Sequence, residues 1–171
     1  MSDATPKKVV TSIVGASAEH FVMYRLLREG LVAALAPKGV PEVDILVTDR
    51  KGNSLAEIQV KGRQYSKDGG WTMNVKHEHD DLVRERLFYC FVDLGKAADD
   101  VPQCWLMPSR VVADVLKRSH KAWLETPGKN GRAHVDWPMR RICVHYDFDP
   151  AMNRGWMDKY KDAWAQLKAV S

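Results

Sequence analysis

The residue types able to do chemistry concentrate in one short stretch of the chain. In Leu55–Lys61 a period of two sets Glu57, Gln59 and Lys61 on one face of an extended segment and Ala56, Ile58 and Val60 on the other. Upstream, Val43, Ile45 and Val47 form an apolar face, while Asp44 points the other way at the start of its segment. Pairing the two segments can bring Asp44 beside Gln59 and Lys61. Still further upstream, Glu19 shares a helical stripe with Val22, Met23 and Leu26, the face that should bury. A lone buried carboxylate is costly, so Glu19 calls for a cation, either a lysine or a metal ion. Two carboxylates, a side-chain carbonyl and an ammonium that could converge suit metal-assisted phosphodiester hydrolysis. Mg²⁺ takes hard oxygen ligands and commonly only one or two protein carboxylates. A lysine close by could orient the attacking water, act as base if its pKa is lowered, or stabilise the transition state. The plainer alternative is a solvated hairpin face with a weak surface ion pair, with Glu19 complementing only the dipole of its helix.

The elements that must position these residues follow from hydrophobic period and turn chemistry. Ser17 to about Leu35 predicts a helix capped by Ser17, interrupted or ended at Gly30 and closed by Pro37 and Gly39. Val43–Thr48 and Leu55–Lys61, joined by the turn residues Asp49–Ser54, predict a β-hairpin, and Trp71–Lys76 predicts a third strand. Leu87–Val92 is apolar without a break, as a strand covered on both faces is, and Gln103–Met107 predicts another strand. A helix follows from Ser109 to about Leu124, then a basic, turn-rich loop Thr126–Arg132 and a strand Arg141–Tyr146. The last element predicted is a helix from Asn153 to Ala169, with Trp156, Tyr160, Trp164 and Leu167 as its docking stripe. This order predicts an α/β (α+β) domain over residues 13–171, preceded by a flexible polar lead-in over 1–12.

Composition agrees with one such domain. The chain has 171 residues, 45% of them hydrophobic, which is enough to bury a core and excludes global disorder. A net charge of +4 permits a polyanionic partner without demanding one. No apolar run approaches the ~18 residues of a spanning helix, and the N-terminus lacks the apolar stretch of a secretory signal, so no membrane partner is expected. Three cysteines, Cys90, Cys104 and Cys143, stand far apart in apolar surroundings. A disulfide framework is therefore not expected, and a cytoplasmic location is.

Glu19, Asp44 in Pro41-Glu-Val-Asp44, and Gln59-Val-Lys61 together resemble the PD-(D/E)xK nuclease superfamily, which contains restriction endonucleases, Holliday-junction resolvases and some homing endonucleases. The motifs cover roughly residues 15–62. The resemblance implies a restriction-endonuclease-like mixed central sheet flanked by helices, and a Mg²⁺-dependent site, with Mn²⁺ as substitute, acting on nucleic acid, DNA foremost. It implies that Asp44 is the central metal ligand, that Gln59 occupies the second acidic position, that Val60 lends its backbone carbonyl, that Lys61 is the catalytic lysine and that Glu19 is the helix-borne acid. Superfamily members that cut duplexes often pair as dimers, so a homodimer is consistent with it. Two departures stand out. Gln59 is neutral where the pattern has an acid, which opens a second reading: a degenerate module that binds nucleic acid or a protein without hydrolysis. Glu57, on the same face, could compensate. The usual helix between the third and fourth core strands would also have to fit within about residues 77–86.

Arg63, Lys67 and Lys76 follow the site, and Lys129 and Arg132 lie in the Gly-rich loop; all five are candidates to track a phosphate backbone. The pair His77 and His79 reads as a polar connector at a cleft edge rather than a metal cluster, because no further ligand stands at the right spacing. No zinc-finger or helix-turn-helix pattern is present, so recognition directed at structure or ends is expected over strong base readout.

Overall fold

The structure, a computed structural model, describes residues 10–64 and 69–168. The lead-in over 1–9 and Lys67 lie outside the described residues. Helix α1 spans Thr11–Arg28 and buries Val14, Ala18, Val22 and Leu26, one residue every fourth position along a single stripe. It starts earlier than the Ser17 cap predicted and ends sooner than Leu35. The stop is a Schellman motif. Gly30 adopts φ +76°, its amide donates to the Leu27 carbonyl at 3.0 Å, and the Leu31 amide donates to the Leu26 carbonyl at 3.1 Å. Only glycine reaches that backbone conformation without strain. Leu31 then tucks into the core beside Leu26, and the chain is free to form strand β1, Val32–Leu35, where the helix was expected to continue.

The predicted hairpin forms as β2, Ile45–Thr48, and β3, Ser54–Arg63, paired antiparallel. Asp49 shapes its turn: one carboxylate oxygen accepts from the amides of Lys51 (2.8 Å) and Asn53 (2.9 Å). β4 is Gly70–Asn74, β5 Leu87–Asp93 and β6 Gln103–Pro108. Helix α2 runs Ser109–Glu125 and β7 covers Met139–Cys143. The central mixed sheet has the order β1-β2-β3-β5-β6, with β3 and β5 parallel and the other neighbours antiparallel. The chain is thus α+β, a five-stranded mixed sheet with two helices.

The two faces of the sheet bury separate cores. Phe88, Cys90 and Val92 of β5 pack with α1, and with Trp164 and Leu167 near the C-terminus. Leu87, Tyr89 and Phe91 pack with Val112, Val115 and Leu116 of α2 and with Trp71, Met73 and Ile142 of β4 and β7. The unbroken apolar run in β5 therefore has the predicted cause.

Three sequence expectations are corrected. The third strand predicted over Trp71–Lys76 forms as β4 but does not join the hairpin in the central sheet, because it pairs with β7 in a separate two-stranded ribbon. The connection from β4 to β5 is two 3₁₀ turns, Val75–Glu78 and Asp80–Leu82, rather than a helix. The C-terminal helix is replaced by short 3₁₀ turns. There the edge of β6 competes for the backbone: Lys161 bridges to Trp105, and the Asp162 amide donates to the Cys104 carbonyl at 3.1 Å. Covering an open sheet edge satisfies groups that an isolated helix would leave unpaired. Trp164 and Leu167 are buried all the same, as the stripe predicted.

Candidate active site

Asp44 precedes β2, next to the register pair Ile45–Ile58. That register brings its carboxylate to the middle of β3. Asp44 Oδ2 accepts from the Gln59 Nε2 at 2.5 Å and from the Val60 backbone amide at 2.7 Å. The bond also sets the orientation of the Gln59 amide. A carboxylate can only accept, so Gln59 turns its nitrogen to Asp44 and its Oε1 away. Glu19 is half-buried on α1 and feels the Asp44 charge. Burial first, and then Asp44, push its carboxyl above the ordinary range, with His20 opposing. Burial likewise raises Asp44, and the nearby Glu42 adds to it, against the Val60 bond, Lys61 and the Gln59 bond. Burial lowers Lys61, while the charges of Asp44 and Glu42 partly restore it. Asp44 is thus the charge that Glu19 and Lys61 both sense.

Glu42 belongs to this cluster although sequence reasoning did not single it out. It sits at φ +58°, a left-handed conformation that a glutamate adopts only at a cost. From there its carboxylate accepts from Lys76 Nζ at 2.5 Å and approaches His77 Nδ1 at 3.5 Å. Burial works to raise Glu42, but the Lys76 bond and the charges of His77, Lys76 and Lys61 outweigh it and hold its pKa low. His77 Nδ1 also lies 2.9 Å from the Tyr89 hydroxyl. Alternation does not find Glu42, because the left-handed backbone there interrupts the extended pleat and its partner Lys76 lies 34 residues further on.

The other predicted residues distribute as follows. Arg63 is committed inward, with Nη2 2.6 Å from Asp93 Oδ2 and its guanidinium 4.0 Å over the Trp71 ring. Lys76 reaches the cluster through Glu42. Arg132 lies on the α2–β7 connection, where Trp123 stacks on His134 at 3.9 Å, and the Lys129 side chain lies outside the described residues. Glu57 pairs with Arg84 at 2.6 Å, so it does not stand in for the missing acid. His77 is buried and His79 exposed, which separates the two imidazoles.

A buried neutral His77 has a measurable consequence. Burial, with Lys61 and Lys76 adding and Glu42 opposing, pulls its pKa from 6.5 to about 4. The unfolded chain therefore takes up a proton before the folded one does, and stability is lost as pH falls through that window. Compared with His77→Gln, the wild type is expected to lose about 3 kcal/mol more between pH 7 and pH 4, read from urea midpoints. Parallel curves for the two proteins would show that His77 is not held neutral.

Among the described residues, no group of three or more His, Cys, Asp or Glu side chains is arranged to hold a metal ion. The donors gathered here are of another kind: two carboxylates, the Gln59 amide and the main chain of Val60. Hard oxygens of this sort match Mg²⁺, which keeps several waters of its own. Burial raises both carboxylates, and at Glu19 the Asp44 charge adds to it, so a bound cation would favour their ionised forms. Among the described residues, no helix is long and apolar enough to cross a membrane.

No family model matches the chain, and no curated protein does. Among solved structures, that of a bacterial homing endonuclease, I-Ssp6803I, is similar over 95% of each chain, with a TM-score of 0.52 and 14% sequence identity. At that identity the likeness is one of fold alone.

Proposed function

We propose that this protein is a Mg²⁺-dependent nuclease that hydrolyses phosphodiester bonds in DNA. The observation that carries the reading is the convergence on Asp44, whose carboxylate is tied to Gln59 and Val60 and whose charge both Glu19 and Lys61 sense. Asp44, the Gln59 Oε1, the Val60 carbonyl and Glu19 would hold the ion. Bound there, it would act as a Lewis acid, easing deprotonation of water and offsetting charge on the scissile phosphate. The chain's own residues do the rest. Lys61, with its pKa lowered by burial, would orient the attacking water and take or return its proton. The Val60 amide fixes one Asp44 oxygen, so the other is aimed rather than free to swing. Gln59 must turn its amide over to present oxygen, and that rotation breaks the bond to Asp44.

That same bond supports a second reading, a module that binds nucleic acid or a protein without cutting. Incubation with plasmid, branched and single-stranded DNA in Mg²⁺ or Mn²⁺ tests the first, and titration calorimetry with either ion separates the two. Gln59→Glu discriminates further. It removes the Nε2–Asp44 bond and adds the missing charge, so metal affinity is expected to rise about tenfold or more and turnover with it. Unchanged metal binding together with no cutting by either protein would establish the non-hydrolytic module instead.

A further inference from the structure

Glu42 belongs to the connection between β1 and β2, and that connection is pinned at its ends. The Ala36 amide donates to the Asp44 carbonyl at 2.8 Å, and the Asp44 amide donates to the Ile58 carbonyl at 2.9 Å. Between those ties the backbone enters the left-handed region twice, at Gly39 (φ +92°) and at Glu42 (φ +58°). Glycine does so freely, whereas a glutamate does so at a cost that its surroundings must offset. Here the offset is electrostatic. Glu42 Oε1 lies 2.5 Å from Lys76 Nζ and Oε2 lies 3.5 Å from His77 Nδ1, with 12% of the Glu42 side chain exposed. Burial opposes the carboxylate charge, and Lys76, His77 and Lys61 sustain it.

The two partners of Glu42 are held without its help. Both stand on the 3₁₀ turn Val75–Glu78. Asn74 Oδ1 accepts from the Lys76 amide at 3.0 Å, the Val75 amide donates to the Pro138 carbonyl at 2.9 Å, and Arg140 Nε donates to Glu78 Oε2 at 2.8 Å. His77, its side chain 4% exposed, has Nδ1 2.9 Å from the Tyr89 hydroxyl. The turn therefore keeps its shape if the glutamate leaves. What it presents towards Glu42 is an ammonium beside an imidazole, the surroundings of a single anion. The Lys76 side chain is 54% exposed, so a ligand from solvent can reach it.

We propose that Lys76, on this turn, forms a phosphate subsite that the Glu42 carboxylate fills in the free protein, and that a DNA backbone phosphate takes Lys76 from Glu42 on binding; the inference rests on the nuclease reading above. The exchange is chemically conservative. A phosphodiester, like a carboxylate, spreads one negative charge over two terminal oxygens, so Lys76 leaves one charge-assisted hydrogen bond for another. Two properties make Glu42 the group that yields. It is the strained partner, and its release lets the backbone leave φ +58°. Its segment is also tied at both ends, so the side chain can withdraw while Asp44 keeps its bonds to Gln59 and Val60. Glu42 stands two residues before Asp44, and its charge acts on both Asp44 and Lys61. The phosphate bound at Lys76 is therefore a neighbour of the one presented to the Asp44 cluster. Glu42 thus lowers the DNA affinity that the cations of the free protein would otherwise give.

The experiment is a double-mutant cycle on duplex affinity in Mg²⁺, with Lys61→Ala in every protein so that nothing is cut. That protein is compared with versions carrying Glu42→Gln, Lys76→Met or both, and melting temperatures check that each is folded. Repulsion between Glu42 and DNA is present with or without Lys76, so it cancels in the cycle; what remains is the Lys76–Glu42 interaction lost on binding. The expected result is that Glu42→Gln raises affinity about tenfold more with Lys76 in place than after Lys76→Met. In the Glu42→Gln protein, adding Lys76→Met should make the salt slope shallower by about one, the mark of a lost phosphate contact. Glu42→Gly, which suits the backbone at φ +58°, should reproduce the gain. Two outcomes overturn the proposal and leave the nuclease reading standing. Equal gains from Glu42→Gln in both backgrounds would show that the ion pair survives in the complex and is structural. A salt slope unmoved by Lys76→Met would show that no phosphate reaches that side chain. Absence of any duplex binding at low salt, joined to absence of cutting by the wild type, would remove the nuclease reading and this proposal together.

Discussion

Lys61→Ala is expected to reduce DNA cleavage in Mg²⁺ by about 10²–10⁴-fold, the range for losing a positioned acid–base group, while duplex binding persists. The reason is its position. Lys61 lies on the face of β3 that carries Gln59, beside Phe91 of β5 in the parallel register. Burial lowers its pKa, and only Asp44 and Glu42 work against that. A lysine poised this way is neutral in a larger fraction of molecules than one in water, so its capacity to take a proton extends to lower pH. Wild-type cutting should therefore climb with pH towards a limb set below 10.5, the ordinary lysine value, and the residual activity of the variant should lack that limb. Stability follows the same sign: the unfolded chain holds this proton more tightly, so the wild type gains stability as pH rises through that window. Equal cutting by wild type and variant would mean that the activity comes from a contaminant.

Gly62→Ala is expected to lower both stability and cutting, and for one cause. A Cβ added at Gly62 would stand 2.6 Å from the Ala18 Cβ and 3.1 Å from the Val14 carbonyl oxygen. Neither belongs to a flexible side-chain end, so α1 as a whole must lift from β3. Overpacking of this kind costs about 1–3 kcal/mol, against which a glycine replacement recovers ~0.4–1 kcal/mol from the unfolded chain. At ~2–4 °C per kcal/mol for a chain of this size, the melting temperature should fall by several degrees. The same movement carries Glu19, next to Ala18, away from Asp44, and the cutting rate should drop further than the loss of folded protein explains. Ala18→Gly in the Gly62→Ala background removes the closer of the two contacts and should restore the rate, with the melting temperature regained only in part because a glycine inside a helix costs about 1 kcal/mol. That partial recovery of melting temperature without recovery of rate would show that the placement of Glu19 does not matter to the chemistry.

The local elements were largely legible. Hairpin β2–β3 announced itself through alternation on either side of the Asp49–Ser54 turn, and β5 through an apolar run too long for a strand with one wet face. α2 was read to within a residue of its span. Its capping was not: Ser109 Oγ accepts from the Arg84 amide at 3.0 Å and donates to the Arg84 carbonyl at 2.8 Å, holding the β4–β5 connection rather than the helix end. Glu42 went unassigned, and His77 was read only as part of a polar connector, because each takes its meaning from a partner distant in sequence, Lys76 for one and Tyr89 for the other.

What the order of residues determined by itself was the set of short-range structures and the chemical types on each face, since helix and strand periods and turn residues act over a few positions. It placed Asp44, Gln59 and Lys61 on one polar side and marked Glu19 as an acid on a burying stripe. Only the tertiary structure decided that β3 pairs parallel with β5, that β4 leaves the sheet to join β7, and that the edge of β6 takes the C-terminal backbone from a helix. Those choices are competitions between surfaces far apart in sequence, settled by which pairing buries more apolar area and leaves fewer backbone groups unsatisfied. Local periodicity carries no record of them.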